Sequence, residues 1–215
     1  MERYACKDRH ERAIGLEIAS TAIRRGDLVV MPTDTVYGVG ADAFVPEAVA
    51  KLLEAKGRDR TMPTPVLVGS LETLDGIATD IPEVGRRLIE AFWPGALTVI
   101  CRQQPSLAWD LGETRETVAV RMPDHPVALD LLTKTGPLAV SSANRTGEPP
   151  ATTCEQAQEQ LGESVAVYLD DGPTPGSVPS TIVDLTSPTP RVLRTGALEI
   201  RRLRAVVPEL AVLES

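Results

Sequence analysis

The sequence predicts an α/β fold built on one twisted, mixed sheet. Short apolar runs rich in β-branched residues, such as DLVVMP and TVAVRM, alternate with stretches of helical periodicity. Consecutive strand-like runs near the C-terminal end imply hairpins, so the sheet is not purely parallel. The 18 prolines are spread along the chain as punctuation and form no linker, so nothing divides its 215 residues.

Each element has a local signal. Residues 9–25 carry Ile14, Ile18, Ala22 and Ile23 at helical spacing and stop at Gly26. DLVVMP (27–32) is a buried strand, and TDTVYGVGAD a loop after it. Pro46–Ala55 is a helix with proline in its first turn. PVLVG (65–69) is a strand, and Pro82–Trp93 a helix cut by Pro94. ALTVI (96–100) and TVAVRM (117–122) are strands; HPVALDLLTKTG (125–136) is a helix ended by glycine. PLAVSSAN (137–144) is a strand running into a loop, and residues 153–161 are helical. VAVYLDDG (165–172), STIVDL (180–185) and RVLR (191–194) complete the strands, and a last helix begins near Leu198.

Composition narrows the function. Three separated cysteines, no CxxC pair and two histidines argue against a zinc or iron–sulfur site. A net charge of −8 argues against strong autonomous grip on a nucleic acid backbone, and 3% aromatic residues leave few stacking platforms. No apolar run approaches the ~20 residues of a membrane span. The charged N-terminus lacks an apolar signal core, so a cytoplasmic protein is expected.

The chemistry is expected at polar residues that end apolar strands, where ligand crevices of α/β folds lie. PTDTVYGVGAD (32–42) sets small hydroxyls and glycines after a strand; it is a ligand loop or an ordinary connection. KGRDR (56–60) groups cations that match phosphates or cap a helix end. Arg121 closes an apolar strand and needs an anion, from the protein or from a ligand. SSANRTGEPPATT (141–153) supplies hydroxyls and an amide, with no histidine to make a hydrolytic triad. His125 opens a helix after Asp124 and reads as a capping or packing residue. PSTIVDL and RVLRTG contribute Ser180 and Arg194, each weak alone.

Taken in order, PTDTVYG, KGR, RMP, SSAN, PSTIVD and RxG resemble the YrdC/TsaC-type threonylcarbamoyl-adenylate synthase family, from about residue 10 to about residue 200. The chain resembles the short family form, without the additional C-terminal domain of longer members; a single catalytic domain over 1–215 is expected. The resemblance implies a deep concave cleft in a YrdC-like fold. It implies a nucleotidyltransferase reaction: L-threonine, bicarbonate or carbon dioxide, and ATP with Mg²⁺ give threonylcarbamoyl-adenylate and pyrophosphate. A threonylcarbamoyl-transferase complex then modifies tRNA. It implies no metal ligands from the protein alone.

By position, the resemblance assigns Lys56 and Arg58 to catalysis on the phosphates. It assigns Thr117, Asn144, Thr152 and Arg194 to the nucleotide as well, and Thr35, Arg121, Ser142 and Ser180 to threonine. KGRDRTMPTPVLVG departs from the family's K-x-R-P…P-L-x-V-H, with Gly69 where the histidine falls and Arg60 as a candidate replacement. The competing readings are an RNA-binding module of the same fold, with at most weak RNA contact here, a carbamoyl-transfer domain of the kind found inside much larger chains, and a paralogue that kept the fold and lost the activity, against which the full set Lys56, Arg58, Ser142 and Asn144 argues.

Overall fold

The computed structural model describes residues 1–212. The strands are β1 (Glu2–Ala5), β2 (Val29–Met31), β3 (Gly38–Asp42), β4 (Val66–Leu67), β5 (Ala78–Thr79) and β6 (Leu97–Gln103). They continue with β7 (Thr117–Arg121), β8 (Leu138–Ser142), β9 (Val167–Asp170), β10 (Thr181–Asp184), β11 (Arg191–Arg194) and β12 (Ala211–Val212). The helices are α1 (Arg9–Arg24), α2 (Pro46–Lys56), α3 (Leu71–Ile77), α4 (Glu83–Phe92), α5 (Pro126–Thr135), α6 (Cys154–Leu161) and α7 (Ile200–Val206). The sheet order is β1-β9-β2-β3-β8-β4-β7-β6-β10-β11-β12, with β5 on β6. Parallel pairs such as β6–β10 and antiparallel pairs such as β3–β8 make it mixed, as expected.

Side-chain alternation explains the layers. Val30, Val66, Ala139 and Tyr168 face one core with α2, α4, α6 and α7. Their neighbours Val29, Met31, Leu67, Leu138, Val140, Val167 and Leu169 face the other, under α1 and α5. The first core also takes Leu97, Val99, Val118, Val120 and Val183 from β6, β7 and β10. The intervening residues Thr98, Arg121 and Ile182 belong to neither core and line a cleft instead. The cleft is thus the stretch of sheet face that α1 and α5 leave uncovered.

The sequence reading differs from the structure in specific places. TDTVYGVGAD is not all loop, since Gly38–Asp42 forms a central strand between β2 and β8. A Cβ on Gly38 would stand 2.8 Å from Val140, and one on Gly40 would stand 2.9 Å from Met31. Neighbouring side chains therefore fill the space that the glycines leave. Strands β1, β5 and β12 and helix α3 have no matching expectation; each is short and held by long-range pairing or packing. Of the clustered C-terminal strands only β10 and β11 pair as a hairpin, while β9 lies parallel to β1 and β2.

Candidate functional site

The cleft encloses about 260 Å³, close to the lower end of small-molecule sites (about 300–1,000 Å³). Its lining includes Thr35, Arg58, Arg121, Ser142, Ser180 and Arg194, so six of the expected residues meet in one place. The lining contains three arginines and no Asp or Glu.

Arg121 is the most constrained of them, with 7% of its surface exposed. Nη2 donates to Asp34 Oδ1 (2.7 Å), Nη1 to Thr35 Oγ1 (2.9 Å) and Nε to the Gly95 carbonyl (2.9 Å). Burial lowers its pKa, and Asp34 opposes that shift. The anion that the sequence demands is therefore Asp34, inside the TDT run. Two of the five guanidinium hydrogens remain for a ligand carboxylate.

Thr35 sits in a hydroxyl turn. Thr33 Oγ1 donates to the Val36 carbonyl (2.6 Å) and accepts from Thr35 N (3.2 Å). Its hydrogen is thus used, so the 3.1 Å bond between the two hydroxyls has Thr35 donating. With Arg121 also donating to it, Thr35 Oγ1 keeps one lone pair and can only accept from a ligand.

At the opposite wall Ser180 Oγ bonds to Thr98 Oγ1 (2.8 Å). Arg194 reaches the Ser180 carbonyl through Nε (3.2 Å) and Nη2 (2.8 Å). Burial lowers the Arg194 pKa, and the charges of Arg121 and Arg58 lower it further. Arg194 therefore feels both of the other guanidiniums, and of the three only Arg121 bonds directly to a carboxylate. Arg58 Nε is buried with no partner; burial also lowers its pKa, with Asp59 opposing. Such a cluster is electrostatically complete only with anions in the cleft.

Four expected residues lie outside the lining. Thr117 is at the far end of β7 from Arg121, about 13 Å along the strand, and its hydroxyl donates to the Thr114 carbonyl (2.6 Å). Thr152 Oγ1 donates to Gln156 (3.0 Å). Asn144 is buried; its Nδ2 donates to the Arg145 and Glu148 carbonyls and its Oδ1 has no partner. Lys56 is 2% exposed, and its ammonium donates to the Ser142 and Asn144 carbonyls at 2.5 and 2.6 Å. Arg60 does not replace the family histidine, because it pairs with Asp110 (2.6 Å) on the surface. Gly69 faces α5, where a Cβ would come within 3.2 Å of Leu132, so a larger side chain there needs the helix to shift. His125 caps α5 as expected, accepting from Val127 N at 3.3 Å.

Sequence reasoning missed Thr98, Met62, Pro63 and Pro65, which also line the cleft. A signal existed only for Thr98, a polar residue on the non-core phase of a strand.

Burial, and next the charge of Arg58, bring the Lys56 pKa down to about 8. Between pH 8 and the unfolded value near 10.5 the unfolded chain holds a proton that the folded one has lost. Stability contributed by this group therefore rises with pH in that window. The carbonyl acceptors favour the charged form, so about 3 kcal/mol is the ceiling. Buried Cys6, Cys101 and Cys154, pushed up to about 12, act with the opposite sign. Urea unfolding at pH 7.5 and 10 is expected to show wild type gaining stability relative to Lys56→Met; a pH-independent difference would refute the coupling.

Fold and site together define an α/β protein with a cationic cleft of about 260 Å³. The family model described as Sua5_yciO_yrdC, telomere recombination, matches residues 21–196. The chain belongs to the Sua5/YciO/YrdC family. It is 56% identical over 206 residues to a Mycobacterium tuberculosis (strain CDC 1551 / Oshkosh) protein provisionally named threonylcarbamoyl-AMP synthase, covering 96% of this chain and 95% of that one. It is 39% identical to the threonylcarbamoyl-AMP synthase of Bacillus subtilis (strain 168), covering 88% of this chain and 55% of that protein. Among solved structures, Pyrococcus abyssi Sua5 complexed with L-threonine superposes with a TM-score of 0.89 at 37% identity, covering 92% of this chain and 58% of that chain. The chain thus spans somewhat over half the length of these last two relatives. No helix among the described residues is long and apolar enough to cross a membrane.

Proposed function

We propose that this protein is a threonylcarbamoyl-AMP synthase, acting as one catalytic domain on L-threonine, bicarbonate or carbon dioxide, and ATP. The observation that carries the proposal is the single cleft lined by Arg58, Arg121 and Arg194 with no carboxylate of its own. The threonine carboxylate faces the free hydrogens of Arg121, and Ser142 and Ser180 hold the rest of the amino acid. Thr35, an acceptor, takes a hydrogen from its amine or hydroxyl. The triphosphate is neutralised by Arg58 and Arg194.

The threonine amine attacks carbon dioxide and gives up a proton, forming a carbamate. A carbamate oxygen then displaces pyrophosphate at the α-phosphorus of ATP. The step needs positioning and charge neutralisation and no protein nucleophile. No cluster of three or more His, Cys, Asp or Glu among the described residues fits a metal; Mg²⁺ enters as part of the nucleotide substrate. The adenylate passes, in the cytoplasm, to a transferase acting on tRNA. The −8 net charge favours a weak RNA contact at most.

The test is pyrophosphate release from ATP, Mg²⁺ and bicarbonate with and without threonine. Release that ignores threonine, or none at all, sinks the proposal. Arg58→Ala is expected to lower kcat/KM by about 30- to 1,000-fold, the 2–4 kcal/mol scale of a lost preorganised donor, with the fold retained by circular dichroism.

A further inference from the structure

Lys56 ends α2, is not among the residues that line the cleft, and sends its ammonium to the end of β8 and the turn that follows. Two of its three hydrogens go to the Ser142 and Asn144 carbonyls, 86 and 88 residues away in sequence. Its own carbonyl accepts from Thr146 N at 2.8 Å. One residue therefore fastens the 142–146 turn at three points. The turn's other ties include Ala143 N to the Tyr37 carbonyl (2.8 Å), Asn144 N to the Ser142 carbonyl (2.9 Å), the Asn144 side chain to the Arg145 and Glu148 carbonyls (2.8 Å each), and Arg145 N and Nε to Gln160 on α6 (2.9 and 2.8 Å).

A buried ammonium with short bonds to two carbonyls is already solvated by the protein. A phosphate would have to pull it off both. The Asn144 carbonyl would then be an acceptor short of a partner, at the cost of an unmade hydrogen bond, while the Ser142 carbonyl would keep the Asn144 N–H at 2.9 Å. Arg58, two residues on, is in the opposite situation: it lines the cleft and has a donor without a partner.

We infer that Lys56 is a positioning residue, which pins the Ser142–Asn144 turn to α2 and so sets the walls for both substrates, and that Arg58 alone of the KGR run meets phosphate. The inference rests on the proposed reading of the cleft as a threonine and ATP site.

The discriminating variant is Lys56→Met, which keeps the apolar stem and removes the donors. Calorimetric titration with L-threonine in the absence of nucleotide is expected to show affinity reduced about tenfold, the scale of one lost charge-assisted hydrogen bond. A non-hydrolysable ATP analogue with Mg²⁺ is expected to weaken as well. Arg58→Ala is expected to weaken the analogue and leave threonine unchanged. Lys56→Met with wild-type threonine affinity and lost nucleotide affinity would overturn the inference, because it would mark Lys56 as a phosphate ligand. Wild-type protein that binds no threonine overturns the reading of the cleft, and the inference with it. If Lys56→Met does not fold, a crystal structure of wild type with the analogue decides. Nζ still on the two carbonyls supports positioning; Nζ on a phosphate oxygen overturns it.

Discussion

Arg121→Ala is expected to abolish threonine binding and to destabilise the protein at once. The guanidinium is held by Asp34, Thr35 and the Gly95 carbonyl, and its two remaining hydrogens are the cleft's best match for a carboxylate. Losing them removes a charge-assisted pair, and kcat/KM for threonine is expected to fall at least about 1,000-fold. The same change strands Asp34, whose side chain is only 16% exposed. Breaking one side of such a buried pair costs about 3–5 kcal/mol; the Asp124 N–H that still reaches Asp34 at 2.9 Å holds the figure near the low end. At this chain length about 3 kcal/mol lowers Tm by about 6–12 °C. Asp34→Asn in the same background is expected to recover part of that stability and none of the threonine affinity. Calorimetric binding and thermal unfolding separate the two effects. Threonine affinity surviving Arg121→Ala would refute the carboxylate role.

Gly196→Ala is expected to be nearly as damaging, from a residue with no side chain. A Cβ there would lie 2.3 Å from the Pro179 carbonyl oxygen and 2.4–2.5 Å from the Ser180 carbonyl group, all backbone atoms. The turn lies against the start of β10 because Gly196 N donates to Thr181 Oγ1 (2.9 Å) and Ala197 N to the Pro179 carbonyl (2.8 Å). A methyl group forces these strands apart, and Ser180 loses its alignment with Thr98 and Arg194. The expected cost is about 2–4 kcal/mol of stability, with Ser180-dependent threonine binding weakened in step. Gly176, in the loop before β10, would have nothing within 4 Å of an added Cβ; Gly176→Ala is expected within about 0.5 kcal/mol of wild type. Equal melting temperatures for the two variants would show that the packing argument fails.

Much of the site was legible because residue type constrains chemistry before any fold is known. Arginine ending an apolar strand requires an anion, and Arg121 has one in Asp34. Hydroxyls beside glycines after a strand indicate a loop that approaches a ligand, and Thr35 lines the cleft. The order of six short motifs narrowed these hints to a family, which the relatives bear out. The failures have a different cause. GVGAD looked like loop because glycine disfavours strands in isolation, yet β3 is fixed by partners on both edges and by Val140 and Met31 filling its empty Cβ positions. The burial of Lys56 was not legible, because a helix-end lysine is normally solvated. Its burial depends on two carbonyls that no local pattern connects to it.

By itself the sequence determined the alternation of layers, the cationic character of the cleft and the small residues at its close approaches, since each follows from periodicity or from side-chain chemistry along a short stretch. Only the tertiary structure decided which strand faces α1 and α5 leave open. Only the fold turned Lys56 inward, and only the fold brought Arg58, Arg121 and Arg194 around one space while leaving Thr117 and Thr152 outside it. Those outcomes rest on contacts between residues far apart in the chain, whose geometry is set by how the layers pack and not by any local preference.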